Sequence, residues 1–230
     1  MINFEEGSVI LIDKPYRWSS FDVVNKIRSL IKYHIGIKKI KIGHAGTLDP
    51  LATGLLILCS GKFTKKIDEF QAFEKEYTGT MVLGATRPSS DMETEIDNTY
   101  DISNISEENI LELAKTFVGN IQQTPPLFSA KKIEGTRAYE FARKGMDVKM
   151  AVNDIFIKEF EITNINLPEI SFRIVCSKGT YIRSLVKDFG EKLQNGAYLS
   201  ALCRTRIGEY YLKNAWSMEK VEEIIIKQKK

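Results

Sequence analysis

Cysteine and histidine are scarce in this chain, with three and two residues. Cys59, Cys176 and Cys203 are odd in number and far apart, and no CxxC occurs. That spacing points to neither a disulfide framework nor a zinc knuckle, and it fits reduced thiols. His34 and His44 are the only imidazoles, so a histidine-based metal site is not indicated. No apolar run approaches the roughly 18 residues that a membrane span requires. The first residues, Met1-Ile2-Asn3-Phe4-Glu5-Glu6, have no signal-peptide character. Neither GxxxxGK[ST] nor GxGxxG is present, so no motif supports a nucleotide cofactor. Repeats and low-complexity tracts are also missing. A reducing cytoplasm is the simplest compartment.

What remains is a globular chain of 230 residues, 43% hydrophobic and 27% charged, with a formal net charge of +3. It can bury a sizeable core, and its mild basicity is compatible with a nucleic-acid partner without requiring one. One stretch stands out. Gly43 to Leu56 reads GHAGTLDPLATGLL, with His44, then Asp49 followed at once by Pro50. Glycine and proline at these spacings describe a tight loop that presents polar groups and then enters the core at Leu55–Leu58. By itself this is also what an ordinary Asp-Pro turn looks like.

Around that loop the pattern is mixed. Ser8–Ile12 reads as a strand ended by Asp13-Lys14-Pro15. Ser19 caps a helix with Asp22 at its third position and Val23, Val24, Ile27, Leu30 and Ile31 on one face. Strands are expected at Leu55–Cys59, Phe73–Leu83 (carrying Tyr77), Ile155–Ile165, Ile170–Cys176 and Leu202–Leu212. Ser106 opens a further helix, with Gly119 as its stop. Lys38, Lys39 and Lys41 lead into the Gly43–Leu56 loop, as a solvated stretch or as phosphate contacts. Between Thr124 and Met150 six basic residues face three acidic ones, an excess equal to that of the whole chain. Phe128, Tyr139 and Phe141 are interleaved, which suits either an RNA-facing surface or a solvated helix with aromatics beneath it. Thr136 opens a short helix there, which Gly145 ends. Ile182, Leu185, Phe189 and Leu193 recur at helical spacing and place Arg183 in a first turn. A cation there opposes the helix dipole and calls for an anionic partner. Strands and helices alternate irregularly, without a βαβ rhythm, and the class is α+β.

Five of these segments, in this order, resemble the motifs of the TruB family of pseudouridine synthases. They are Asp13-Lys14-Pro15 with Ser19-Ser20-Phe21-Asp22, the loop GHAGTLDPLATGLL, Lys75-Glu76-Tyr77, TPPLFSAKKIEGTRAYEFARKG and SKGTYIRSLVKDFGEKL. The resemblance runs from about Ile10 to Gly208. It implies the pseudouridine synthase fold: a mixed, largely antiparallel sheet with a central cleft and a thumb-like RNA-binding insertion at 124–150, in one catalytic domain over 1–230. The small C-terminal PUA-type domain of many relatives is not expected. The implied reaction isomerises uridine 55 in the T-loop of tRNA, with no cofactor, no metal and no obligatory protein partner. By the same resemblance Asp49 is the catalytic aspartate, Tyr77 stacks on the target base, and Arg183 pairs with Asp49. His44 holds the rearranged RNA loop, Leu202 lines the pocket, and Lys14 and Tyr181 lie near it. Lys131, Lys132 and Arg143 grip the T-arm from the thumb. The alternative is a tRNA-binding or folding factor in which RNA binding rather than catalysis is the main role, and the retained Asp49, Tyr77 and Arg183 argue against it. Departures from the family pattern are Arg17 in place of a usual glycine, Phe128 for a common tyrosine, Ala197-Tyr198, Cys203-Arg204, and a loose match at Thr86–Asp91.

Overall fold

A computed structural model of the chain describes residues 2–129, 131–133, 135–143, 146, 148 and 150–228. In chain order its elements are β1 (Val9–Lys14), α1 (Ser20–Leu30), β2 (Ile42–His44), β3 (Thr53–Ser60), α2 (Ile67–Ala72) and β4 (Lys75–Leu83). Two short strands follow, β5 (Ala85–Thr86) and β6 (Asn98–Thr99), then α3 (Glu107–Lys115) and β7 (Gly119–Gln123). Next come β8 (Lys132–Ile133), β9 (Thr136–Arg137), α4 (Ala138–Arg143), β10 (Asn153–Asn166) and β11 (Glu169–Cys176). The chain closes with α5 (Ile182–Lys192), β12 (Ala197–Ile207), β13 (Tyr210–Tyr211) and α6 (Met218–Lys227). Among the described residues no helix is long and apolar enough to cross a membrane.

The chain divides into two compact units, Met1–Tyr77 with Leu202–Lys230, and Thr78–Ala201. In the first, β3 is the central strand. It pairs antiparallel with β1, from Val9↔Cys59 to Lys14↔Gly54, and with β2 through Ile42↔Ser60 and His44↔Leu58. Its parallel neighbour is β12, through Cys203↔Thr53 and Arg204↔Gly54. The unbroken apolar run of β3 follows from burial on both faces. Period-two alternation sends Leu56 and Leu58 into one core with Ile10, Ile12, Val24, Ile27 and Val221. The same alternation sends Leu55, Ile57 and Cys59 into a second core with Phe70 and Ile207. Helix α1 begins in the expected capping box: Ser19 Oγ accepts from the Asp22 N–H, and Asp22 accepts from the Ser19 N–H. That box is worth about 1 kcal/mol.

In the second unit the sheet order is β12, β4, β11, β10, β7, with β10 antiparallel to both β11 and β7. Its core is aromatic: Phe117, Phe160, Phe172 and Phe189 pack with ring centroids 5.7–6.0 Å apart. Residues in 124–150 form the β8–β9 hairpin and α4, with Gly135 in the turn.

Three expectations shift. Helix α3 stops at Lys115, because Thr116, Phe117 and Val118 each donate to the carbonyl three residues back; Gly119 instead opens β7. The helix expected from Thr136 starts at Ala138, since Thr136 and Arg137 are taken by β9, and Gly145 lies outside the described residues. The last strand starts at Ala197, earlier than its sequence pattern suggests, and breaks at Gly208, whose N–H donates to Glu74.

Candidate active site

The first unit holds the loop that carries Asp49. The stretch 43–56 is a loop only over its middle, since Gly43 and His44 belong to β2 and Thr53–Leu56 to β3. The remainder is fixed through its main chain. Ser20, the first residue of α1, accepts from the Leu48 N–H at 2.8 Å and donates to the Leu48 carbonyl at 3.2 Å. Ala52 N–H donates to the Asp49 carbonyl at 3.1 Å, closing the Asp-Pro turn. Gly54 has φ +100°, and a Cβ there would lie 2.4 Å from the Arg204 carbonyl, so only glycine lets β12 approach.

Two buried cations complete this clamp. Arg204, 1% exposed, donates from Nε to the Leu55 carbonyl at 2.8 Å and from its terminal nitrogens to Gly46 at 3.1 Å and Thr47 at 3.5 Å. Lys14, fully buried, donates to the carbonyls of Trp18 at 2.5 Å, Pro15 at 2.9 Å and Pro50 at 3.4 Å. Arg17, the departure expected to alter this region, takes φ +66°, the left-handed conformation open to glycine. Its N–H donates to Pro50 at 2.8 Å, so the contact with the loop is made at a strain of about 1 kcal/mol.

The electrostatics follow from this packing. Burial brings the Lys14 ammonium down to about 8; the Asp49 carboxylate pulls in the opposite direction, and Arg204 adds to the lowering. Burial, and then the charge of Arg204, also push His44 below its ordinary value, so its imidazole is neutral at pH 7. The folded protein releases the Lys14 proton near pH 8, whereas the unfolded chain holds it to about 10.5. Unfolding therefore takes up a proton in that window, and the Lys14 contribution to stability rises with pH there. The stability of the native chain relative to Lys14→Met should accordingly rise between these values. The slope should be at most about 1.4 kcal/mol per pH unit, read from denaturant melts at several pH values. A pH-independent difference would show that Lys14 keeps an ordinary pKa.

Tyr77, 8% exposed, sits in β4 of the same unit, and Leu202, half-buried, sits in β12 beside Cys203. Thr53 Oγ1 donates to the Leu202 carbonyl at 3.4 Å, which ties that residue to the start of β3. The first unit thus carries Lys14, His44, Asp49, Tyr77 and Leu202.

Arg183, Tyr181 and the basic residues of 124–150 belong to the second unit. Arg183 lies in the first turn of α5 and is 4% exposed. Within this unit its anionic partner is Asp91, with Nε 3.5 Å from Oδ2. Its terminal nitrogens donate to the carbonyls of Phe128 at 2.8 Å and Ser89 at 3.2 Å. Tyr181 precedes α5 and is held by Gln123, which accepts from its N–H at 2.8 Å and donates to its carbonyl at 3.0 Å. Lys131 reaches Asn153 Oδ1 at 2.9 Å and the Ala151 carbonyl at 3.3 Å. The side chains of Lys132 and Arg143 lie outside the described part of the structure.

Arg204 and Asp91 are not singled out by sequence reasoning, although both fall in segments that depart from the family pattern. Their only advance signal is charge type in an otherwise apolar or turn-forming context.

The model for the TruB family pseudouridylate synthase N-terminal domain matches residues 32–182, and that for the tRNA pseudouridylate synthase B C-terminal domain matches 183–230. The chain is 53% identical over 227 residues to tRNA pseudouridine synthase B of Phocaeicola vulgatus, covering 99% of this chain and 97% of that one. It is 57% identical over 219 residues to the protein of that name in Flavobacterium johnsoniae, covering 95% and 96%. Among solved structures, a Cbf5–Nop10–Gar1 complex contains a chain with TM-score 0.71 at 27% identity, covering 96% of this chain and 54% of that one. An H/ACA RNP bound to a substrate RNA containing 2′-deoxyuridine gives 0.69 at 25%, covering 96% and 53%. The chain therefore spans about half the length of those two solved chains.

Proposed function

The chain belongs to the TruB family of tRNA pseudouridine synthases, isomerases that act on uridine in tRNA, and from that premise we propose that its target is uridine 55 in the T-loop. The reaction breaks the N1–C1′ bond of the uridine, turns the detached uracil and joins C5 to C1′. The proton lost from C5 is balanced by one gained at N1, so nothing is oxidised or transferred to another molecule. A carboxylate can serve by attacking the base or sugar, or by assisting proton removal at C2′.

Asp49 is that carboxylate in this reading. The observation that carries it is the loop itself: its main chain is clamped by Ser20, Lys14 and Arg204. Such a clamp holds the bearing of one side chain constant through a reaction. Arg183 is assigned the family's role of keeping the carboxylate ionised. Tyr77 offers its ring to the uracil, and Leu202 an apolar wall. His44, neutral and at the end of β2, is assigned to the RNA loop, with Lys14 and Tyr181 in supporting positions. The target base must leave its stack, which is base flipping. Function is assigned to 1–230 as one catalytic domain. Its insertion at 124–150 grips the T-arm backbone through Lys131, Lys132 and Arg143. The cytoplasm is its place of work.

A single modified nucleotide in the T-loop of an unmodified tRNA transcript, located by chemical labelling, is the outcome this reading requires. Modification elsewhere, or none, would overturn it.

A further inference from the structure

In the second unit, Arg87 is a half-buried arginine without a carboxylate. Among the described residues it forms no ion pair, and its buried Nε has no hydrogen-bond partner. From Nη1 it donates to the Thr94 carbonyl. Its charge meets the ring of Tyr198 instead, whose centroid lies 4.6 Å from the guanidinium carbon. Tyr198 is 8% exposed and sits near the start of β12. An aromatic face attracts a cation through its quadrupole, the more so where water is kept out. Both residues lie in segments where the chain departs from the family pattern.

The contact closes an irregular loop, 87–94, that is otherwise knitted by its own polar groups. Ser90, at φ +58°, donates its N–H to the Arg87 carbonyl at 2.8 Å. The Ser89 N–H donates to Thr94 Oγ1 at 3.1 Å, and the two hydroxyls are 2.9 Å apart. The loop is laid along β12, where the Leu199 N–H donates to the Ser90 carbonyl at 3.0 Å and Asp91 bridges to Leu199. The Arg87–Tyr198 stack is one residue from that docking point, and the bond to Thr94 joins the loop's two ends. Between those ends stand two of the holds on Arg183, the Asp91 carboxylate and the Ser89 carbonyl. A segment outside regular structure opens cheaply unless its ends are pinned. Filling space does not account for Arg87, since an apolar side chain would cover the Tyr198 ring without burying an unpaired donor.

We propose that Arg87 and Tyr198 are positioning residues for Arg183: their stack closes the 87–94 loop on β12 and so fixes the carboxylate and carbonyl that aim the guanidinium. That Arg183 serves isomerisation rests on the function proposed above; that Arg87 and Tyr198 hold it in place does not.

The test uses the full chain labelled with [15N]arginine and three variants. Arg87→Gln removes the cation and keeps a donor for Thr94. Tyr198→Leu removes the ring face, and Tyr198→Phe keeps it. The first readout is solvent exchange of the Arg183 Nε proton by NMR, with its signal assigned through Arg183→Lys. The Nε proton of Arg204, bound to the Leu55 carbonyl in the first unit, is the internal control for general loosening. In Arg87→Gln and Tyr198→Leu the Arg183 proton should exchange roughly tenfold faster or more, with Arg204 unchanged. Tyr198→Phe should match the native chain. Should Tyr198→Leu fail to fold, Arg87→Gln carries the same prediction alone.

The second readout is single-turnover isomerisation at saturating tRNA, beside the tRNA dissociation constant. Isomerisation should slow on the order of tenfold to a hundredfold in Arg87→Gln and Tyr198→Leu, with the dissociation constant within about twofold of native. In an Arg183→Lys chain, Arg87→Gln should cost nothing further, because the group it positions is already gone. Unchanged exchange at Arg183, equal acceleration at Arg183 and Arg204, or rate losses that multiply with Arg183→Lys would overturn the proposal. Selective loosening of Arg183 in variants of a native chain that isomerises no uridine would remove the enzymatic reading and leave the positioning role standing.

Discussion

Asp49→Asn is expected to bind tRNA about as well as the native chain and to form pseudouridine on the order of 10⁴-fold more slowly or worse. Asparagine has the shape of aspartate but neither its negative charge nor its capacity to take a proton or attack carbon. A 10⁴-fold loss corresponds to about 5.4 kcal/mol of transition-state stabilisation, a reasonable share for one participating group. The loop has several holds other than the carboxylate. Its main chain is held at Leu48 by Ser20, at Pro50 by Arg17 and Lys14, and at Gly46 and Thr47 by Arg204. Single-turnover measurements at saturating tRNA read the chemical step apart from affinity. Turnover within tenfold of native would remove Asp49 from the chemistry, and lost affinity with native turnover would make it a binding residue.

Arg183→Met should destabilise the protein by about 3–5 kcal/mol. Arg183 and Asp91 are both nearly inaccessible, with side-chain exposures of 4% and 7%. Removing the cation strands the Asp91 carboxylate in a medium that cannot solvate it. The carbonyls of Ser89 and Phe128 lose a donor at the same time. Converting Asp91 to Asn in the same chain removes the stranded charge. The double variant should then recover part of the loss, so the two effects fall well short of adding. Urea melts of the four chains give the coupling directly; strictly additive losses would mean that the pair contributes nothing as a pair. Activity follows a different course, since the double variant regains stability without regaining the cation.

How far these sites were legible beforehand depends on the reach of the interactions. Ser19 and Asp22 are three residues apart, so their capping box is written locally. The alternation of Ile170, Phe172 and Ile174, and the unbroken apolar run of β3, are likewise properties of adjacent residues. Gly119 looks like the stop of α3, while the actual stop is a tightened turn just before it. Residues Ala197–Ala201 carry no strong strand pattern and become a strand through pairing. Arg204 is a more telling omission. Its partners Leu55, Gly46 and Thr47 are 149, 158 and 157 residues away. Nothing around Cys203-Arg204 indicates that the arginine ends up buried against carbonyls of the Asp49 loop. Asp91 is similar: an acid in a polar turn gives no sign that it will be buried against an arginine from a distant helix. Asp49, Tyr77 and Arg183 stand out in the sequence only because five ordered segments resemble one family. Local chemistry alone left Asp49 as a turn residue, and in the structure it is one: the turn is the means by which the loop holds its carboxylate.

Conversion of one uridine of the tRNA T-loop to pseudouridine is the activity proposed for this chain. The most direct test incubates the purified protein with an unmodified tRNA transcript and with the isolated T-arm stem-loop, then maps pseudouridine by chemical labelling and primer extension. One labelled position, uridine 55, is expected in both RNAs, and none with Asp49→Asn. Label at another nucleotide, or no label in either RNA from a folded protein that binds tRNA, would contradict it.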